Sequence, residues 1–154
     1  MTPFDSIFEA AAGRYGVPQR VIEAVARTES SLNPRAVGDD GESYGMFQMY
    51  RPTARRYGVV NMTDLWDPAY ATDRAVAYMA DIIRDQRGLN LPFFYSEYNS
   101  GSPGAWQTSG EVFAHVQNFL GNYDLSATGA VAVGSSGALV LAAVGLWWWK
   151  GRRA

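Results

Sequence analysis

Residues 26–49 read ARTESSLNPRAVGDDGESYGMFQM, and this stretch carries the strongest indication of the fold. A helix leads into it, because apolar residues recur at steps of three and four over residues 21–29. Asn33-Pro34 should end this helix, since a residue before proline is pushed out of the helical region. The Gly- and Asp-rich residues 35–45 then predict a loop or a short, turn-dominated hairpin.

The rest of residues 1–124 has the same helical character. One helix is expected before Gly16 and Pro18, which punctuate the chain. Apolar residues at helical spacing predict further helices over 52–57, 68–86, 91–98 and 110–120. No stretch alternates convincingly between apolar and polar residues. The sequence therefore predicts one all-α domain of five to seven short helices.

Residues 125–154 have a different composition. Residues 125–149 form a run of 25 without Asp, Glu, Lys or Arg, and three tryptophans followed by basic residues close it. A helix rises about 1.5 Å per residue, so this run could cross a hydrocarbon core of about 30 Å. A buried core helix is disfavoured, because a domain of this size could not cover it on all faces. A C-terminal transmembrane anchor is expected, with residues 127–149 in contact with membrane lipid.

Charge and composition exclude several kinds of partner. Residues 1–124 carry fifteen acidic and ten basic residues, a net charge of −5, which argues against nucleic acid. The chain has no cysteine, and His115 is its single histidine, so a mechanism without metal or cofactor is favoured. His115 is expected to pack or to lie on the surface, without a catalytic role. Asp5 and Glu9 interrupt the first ten residues, which therefore do not read as a signal peptide.

Glu29 is the candidate catalytic residue. It lies on the apolar side of its helix, directly before a Gly-, Ser- and Asp-rich loop. Partial burial raises the pKa of a carboxyl group, because it disfavours the charged form. A carboxyl that stays protonated near neutral pH can protonate the oxygen of a glycosidic bond. Taken alone, the pattern also fits a capping or solvated glutamate.

Four short motifs place Glu29 in a wider pattern. They are Glu29-Ser30, residues 45–49 (GMFQM), Asp67-Pro68 with Tyr78, and Tyr98-Asn99 with Gly101. In this order and spacing they resemble the lytic transglycosylase family, which is soluble lytic transglycosylase-type and goose-lysozyme-like, over about residues 5–105. The resemblance implies a mostly helical lysozyme-like fold, Glu29 as the acid and base, and peptidoglycan glycan strands as the substrate.

The resemblance also implies a mechanism. Glu29 would protonate the bond between N-acetylmuramic acid and N-acetylglucosamine, and the substrate's acetamido group would stabilise the developing charge. Glu29 would then act as base on the C6 hydroxyl and close a 1,6-anhydro ring. In the competing version, hydrolysis, a second carboxylate positions water; the candidates are Asp39, Asp40, Glu42 and Glu97. Three acidic residues in one loop more often lie in a solvated turn than act as a catalytic base.

The same motifs supply candidate substrate contacts. Gln48, Tyr98 and Asn99 are expected to bond the sugars, with core packing as the alternative. Ser30 and Glu97 are two further candidate contacts. Ser30 would also have a structural role in positioning Glu29. Glu97 is included because it places a carboxylate where the family has a small alanine. Aromatic residues could stack on sugars, although helical spacing favours the core: Tyr44, Phe47, Phe93, Phe94 and Tyr95.

Two functions remain open on the sequence. One is an enzyme that opens the cell wall locally; the other is an inactive module that tethers a membrane to peptidoglycan. The basic C-terminal tip predicts a cytoplasmic end and a domain that faces the periplasm. A lytic enzyme in the membrane of a phage virion fits the small size and the terminal anchor. The sequence gives no oligomeric state.

Overall fold

The computed structural model describes residues 1–128, with side chains described through residue 124. Within residues 1–128 six α-helices form: α1 (Asp5–Tyr15), α2 (Gln19–Ser30), α3 (Arg51–Arg56), α4 (Pro68–Asp85), α5 (Leu91–Ser100) and α6 (Gly110–Thr128). Three two-residue strands are β1 (Val37–Gly38), β2 (Ser43–Tyr44) and β3 (Met49–Tyr50). Short 3₁₀ turns lie at Asp39–Gly41, Met62–Trp66 and Ala105–Gln107. The predicted mostly helical fold is confirmed.

The end of α2 differs from the prediction. The helix ends at Ser30, before Asn33-Pro34, because Ser31 and Leu32 turn into the left-handed region with φ of 55° and 66°. Their backbone N–H groups donate to the carbonyls of Arg27 and Ala26, at 2.9 and 3.1 Å, and so satisfy the last turn. Glu29 consequently stands in the final turn, at the point where the chain leaves the helix.

The start of α4 follows directly from its sequence. Asp67 is the N-cap, and its carboxylate accepts a hydrogen bond of 2.7 Å from the backbone N–H of Tyr70. Pro68 occupies the first turn, where its missing N–H has no helical partner to lose. The Asp-Pro motif therefore fixes where this helix begins.

The residues between α2 and α3 form a small antiparallel sheet. Strand β2 lies in the middle, paired with β1 through Val37↔Tyr44 and with β3 through Tyr44↔Met49. The predicted hairpin at residues 35–45 is confirmed. The third strand was not predicted, since a strand of two residues carries no readable alternation.

The loop at residues 45–48 is clamped between this sheet and the core. Gly45 has φ of 77°, and a Cβ there would collide with the carbonyl oxygen of Leu65. Phe47 is fully buried, and its ring lies 6.1 Å from that of Phe8 on α1. The loop is thus held from both sides by packing.

Helix α2 lies at the centre of the fold, with α1 and α6 against it. Its inward face buries Val21, Ile22, Val25 and Ala26 completely. Aromatic side chains from α5 and α6 complete the same core. Because α2 is covered in this way, the cleft near its C-terminal turn has a rigid support.

The predicted membrane span lies outside the described residues, apart from the last turn of α6. Helix α6 runs to Thr128, beyond its predicted end at residue 120 and across the predicted domain boundary after residue 124. Within residues 1–128, none of the helices combines the length and the apolar composition that a bilayer crossing requires.

Candidate active site

A cleft of about 680 Å³ opens at the C-terminal turn of α2. Glu29 lines it from α2, Gln48 from the loop before β3, and Tyr98 and Asn99 from the end of α5. Four residues that the sequence placed in one site, more than sixty positions apart at the extremes, therefore meet around one cavity.

The carboxyl group of Glu29 is poised to be an acid. Burial raises the pKa of Glu29 from its ordinary value of 4.5 to about 7. A hydrogen bond from the Tyr95 hydroxyl to Oε1 of Glu29, 2.6 Å long, opposes this rise, and the nearby charge of Asp39 adds to it. Near neutral pH Glu29 thus exists in both forms and can give or take a proton.

Tyr95 is the functional residue that the sequence analysis missed. It is fully buried, as its expected place in the core requires, yet its hydroxyl reaches Glu29. Its ring stacks on Phe119 of α6 with centroids 4.5 Å apart and an interplanar angle of 2°. Burial and the adjacent Glu29 keep the pKa of Tyr95 far above its usual range, so the hydroxyl remains a donor. The sequence does place Tyr95 on the same face of α5 as Tyr98, three residues on, but this spacing does not show that the Tyr95 hydroxyl reaches Glu29.

Tyr98 uses its hydroxyl within the protein. It donates a hydrogen bond of 2.9 Å to the backbone carbonyl of Phe47, and burial raises the pKa of Tyr98 well above its ordinary value. This bond joins α5 to the loop at residues 45–48, while the rest of the side chain lines the cleft. Asn99, next to it, is exposed and has no hydrogen-bond partner among the described side chains.

Gln48 is held in an unusual backbone conformation. Its φ is 44°, and its side-chain amide donates to the carbonyl of Gly45 at 2.9 Å. The amide oxygen lies against Gly38, where any Cβ would collide with it. Gly38 is therefore required for Gln48 to lie where it does at the cleft.

Comparison with known proteins agrees with this geometry. Residues 6–116 match the family model described as the transglycosylase SLT domain. The chain belongs to this family. The resemblance inferred from the four motifs is thereby confirmed, and the SLT domain makes up most of the described residues.

Individual relatives match a smaller part of this chain than the family model does. Membrane-bound lytic murein transglycosylase C of Histophilus somni is 32% identical over 111 residues, or 62% of this chain and 30% of that protein. The protein of the same name in Edwardsiella ictaluri is 35% identical over 78 residues, or 46% of this chain and 21% of that one. The chain thus matches less than a third of the length of these relatives.

A solved structure shares the fold of the SLT domain. It is an inactive mutant of lytic transglycosylase Slt from Pseudomonas aeruginosa, with a TM-score of 0.67 and 21% identity. The superposition covers 80% of this chain and 24% of that one. It supports the lysozyme-like helical fold.

Two of the predicted substrate contacts lie elsewhere. Ser30 does not line the cleft; its hydroxyl donates to the carbonyl of Met46 at 2.8 Å and accepts from the N–H of Asn33 at 3.0 Å. Glu97 is also outside the lining and accepts a 2.7 Å hydrogen bond from Gln86 of α4. One residue along a helix is a rotation of about 100°, which turns Glu97 away from the side that Tyr98 presents.

Among the four acids proposed to position water, the structure brings only Asp39 into the cleft lining. Its carboxylate accepts a short hydrogen bond from the hydroxyl of Ser43. Glu42 pairs instead with Arg51 at 3.0 Å, and Asp40 does not line the cavity. Asp39 and Asp40 both have positive φ, of 50° and 52°, so the 3₁₀ turn that presents Asp39 is conformationally strained.

Helix α6 forms part of the cleft lining. His115, expected on the surface or packed, is exposed but lines the cavity together with Glu111 and Val112. In the part of the chain that the structure describes, no group of three or more His, Asp or Glu side chains could hold a metal ion.

Proposed function

We propose that this SLT domain is a peptidoglycan lytic transglycosylase. It would cleave the β-1,4 bond between N-acetylmuramic acid and N-acetylglucosamine and leave a 1,6-anhydro ring on the muramic residue. The observation that carries the proposal is the buried Glu29 carboxyl, with its pKa raised to about 7, at the wall of a large open cleft. Family membership and the transglycosylase names of the relatives support it.

The first step uses Glu29 as an acid. Its proton passes to the glycosidic oxygen as the bond from that oxygen to C1 of the muramic residue breaks, and the N-acetylglucosamine part leaves with a free hydroxyl. The Tyr95 hydroxyl then stabilises the carboxylate that forms, through the bond to Oε1. The substrate's own acetamido oxygen bonds to C1 and removes the need for a protein nucleophile.

The second step uses the same group as a base. The Glu29 carboxylate takes the proton of the C6 hydroxyl while the C6 oxygen attacks C1 and displaces the acetamido oxygen. This closes the anhydro ring, restores protonated Glu29 and consumes no water. A carboxyl with a pKa near the working pH suits both directions of transfer.

Gln48, Tyr98 and Asn99 are the proposed sugar contacts. Asn99 is the strongest of these, because its amide is exposed at the cleft and unpaired among the described side chains. Gln48 has one amide hydrogen engaged with Gly45, which leaves the other free to donate. Tyr98 is proposed to contact sugar with its ring, since its hydroxyl is bonded to the backbone.

Hydrolysis is the second candidate, and Asp39 is the observation that favours it. Its carboxylate lines the same cleft as Glu29 and is oriented by Ser43, so it could hold an attacking water. The two reactions differ by one water in the product. A digest in ¹⁸O-labelled water separates them, because only hydrolysis places the label at C1 of the muramic residue.

The test of catalysis uses the full-length chain and purified murein. Glu29→Gln should abolish product release, because the amide cannot give up a proton. Glu9→Gln, the same change at an exposed position on α1, should leave release unchanged. If the wild-type chain sediments with murein but releases nothing, the domain is a binding module and the proposal fails.

We further propose that residues 125–149 attach the chain to a membrane, with the SLT domain on the cell-wall side. The uncharged run and the basic residues after it support this, and several relatives are named membrane-bound. A membrane-containing phage virion is the second proposed location. Carbonate extraction tests attachment: a chain released with the peripheral proteins would refute it. Protease protection in cells and in purified virions distinguishes the two locations.

A further inference from the structure

Helix α6 places side chains in the cleft that have no role in the proposed catalytic steps. Glu111, Val112 and His115 line the cavity one turn apart on the same side of this helix. Glu111 and His115 are exposed, and neither has a hydrogen bond or an ion pair with the described side chains. Among the described residues, the Glu111 carboxylate therefore has no partner, and it lies exposed at the cleft.

Among the residues that the structure describes, the side chains in the cleft lining with a formal charge are all acidic. Its lining contains Glu29, Asp39 and Glu111, and neither lysine nor arginine is among the residues that form it. The arginines that pair with acids do so outside the cleft, as in Arg27 with Glu23 on α2. A cleft with carboxylates and no fixed cation favours a positive group on its ligand and disfavours a negative one.

The two acids that remain beside Glu29 have different surroundings. Asp39 accepts a hydrogen bond from Ser43, which occupies part of its capacity. Glu111 has no such donor among the described residues, and it lines the same cleft as the motif residues of α5 and the loop. Glu111 is thus the acid at this rim most available to a group carried by the substrate.

We propose that Glu111 is a specificity-determining residue that binds a primary ammonium group on the glycan substrate. This rests on the proposed function, since it assumes that a peptidoglycan strand occupies the cleft. Such a strand offers ammonium groups from two sources: a diamino acid in the stem peptide, and a glucosamine that has lost its acetyl group. Both present the same chemistry, a cation with three donors for one carboxylate.

The experiment compares the wild-type full-length chain with Glu111→Gln on two pairs of strands. The first pair is stem-bearing strands with free or chemically acetylated amines. The second pair is stem-free strands that are partly deacetylated or fully acetylated. Glu111→Gln should lower kcat/KM by about two- to fivefold on strands with ammonium groups, the range of a solvent-exposed ion pair. It should leave the amine-blocked strands unchanged, and the loss should shrink in about 1 M salt.

The pattern of loss identifies the source of the ammonium group. Loss confined to stem-bearing strands assigns it to the peptide, and loss confined to deacetylated strands assigns it to the sugar. Equal effects of Glu111→Gln on free and blocked amines would overturn the proposal. Glu9→Gln controls for a change of net charge outside the cleft.

Binding separates this inference from the proposed function. The affinities of Glu29→Gln and of the double variant Glu29→Gln/Glu111→Gln for each strand do not depend on turnover. If the wild-type chain is inactive, the proposed function fails, while a preference of Glu29→Gln for free amines that is absent from the double variant still supports the role of Glu111. If both variants bind free and blocked strands alike, the inference fails whatever the activity.

Discussion

Replacing Glu29 by glutamine should make the protein more stable at alkaline pH while it abolishes catalysis. Burial raises the pKa of Glu29 in the folded chain to about 7, above the ordinary value of 4.5 that it has when unfolded. The neutral form is therefore favoured by folding. This contribution is fully present below about pH 4.5, is lost as pH rises to about 7, and stays lost above that.

The size of the effect follows from the pKa. A rise from 4.5 to about 7 corresponds to about 3 kcal/mol, since each tenfold change in a dissociation constant is about 1.4 kcal/mol. Glu29 retains some exposure at the cleft, where water screens part of this cost, so about 2–3 kcal/mol is expected. Glutamine has no proton to lose, and it keeps an oxygen that can accept from Tyr95.

The assay is urea unfolding of the wild-type chain and Glu29→Gln from pH 4 to pH 9. All other titrating groups are shared, so the difference between the two proteins isolates Glu29. This difference should grow by about 2–3 kcal/mol between pH 4 and pH 8, or roughly 10 °C in Tm. Glu9→Gln should show no such growth. A difference that is constant with pH would refute the assignment of a raised pKa to Glu29.

Three further predictions follow from single contacts. Tyr95→Phe removes the hydroxyl that donates to Glu29, so the pKa of Glu29 should rise further. The alkaline limb of the pH profile of kcat/KM should therefore move to higher pH. An unmoved limb would contradict the 2.6 Å hydrogen bond. Asp39→Asn removes a charge that raises the pKa of Glu29, so the same limb should move to lower pH, and anhydro product formation should persist unless the reaction is hydrolytic. In Gly45→Ala the new Cβ would collide with the carbonyl oxygen of Leu65, and alanine would be strained at the positive φ of this position. The substitution should lower the free energy of unfolding in urea by about 1–3 kcal/mol. An unchanged free energy of unfolding would mean that the loop is free to move.

The helices, and the position of Glu29 near the end of one of them, could be predicted from sequence. Long apolar stripes, as on α2 and α4, specify a helix and its buried face without knowledge of the partner. The motif around Gly45 and Gln48 was also interpretable. Its glycine is required by the close approach of Leu65 and by its positive φ.

The parts that could not be predicted depend on contacts across the chain. Tyr95 has the composition of a core residue, and only the fold shows that its hydroxyl ends at Glu29, 66 positions away. Ser30 belongs to the first motif and Glu97 lies beside the last one, yet the Ser30 side chain bonds to the backbone at Met46 and the Glu97 side chain bonds to Gln86. Adjacency in sequence does not give direction, since neighbours on a helix point about 100° apart.

The contribution of α6 to the cleft could not be predicted from the sequence either. His115 was expected to pack or to lie on the surface, and the structure places it, exposed, at the cleft with Glu111. Its position depends on how α6 packs on α2 and α5. That packing is a tertiary property, which the periodicity of α6 alone does not specify.

The most direct measurement is the mass of the muramic ends released when the full-length chain digests purified murein in ¹⁸O-labelled water. The proposed mechanism predicts 1,6-anhydro ends, lighter by one water and free of label, from the wild-type chain and no release by Glu29→Gln. Labelled reducing ends would contradict ring closure and would assign the reaction to hydrolysis.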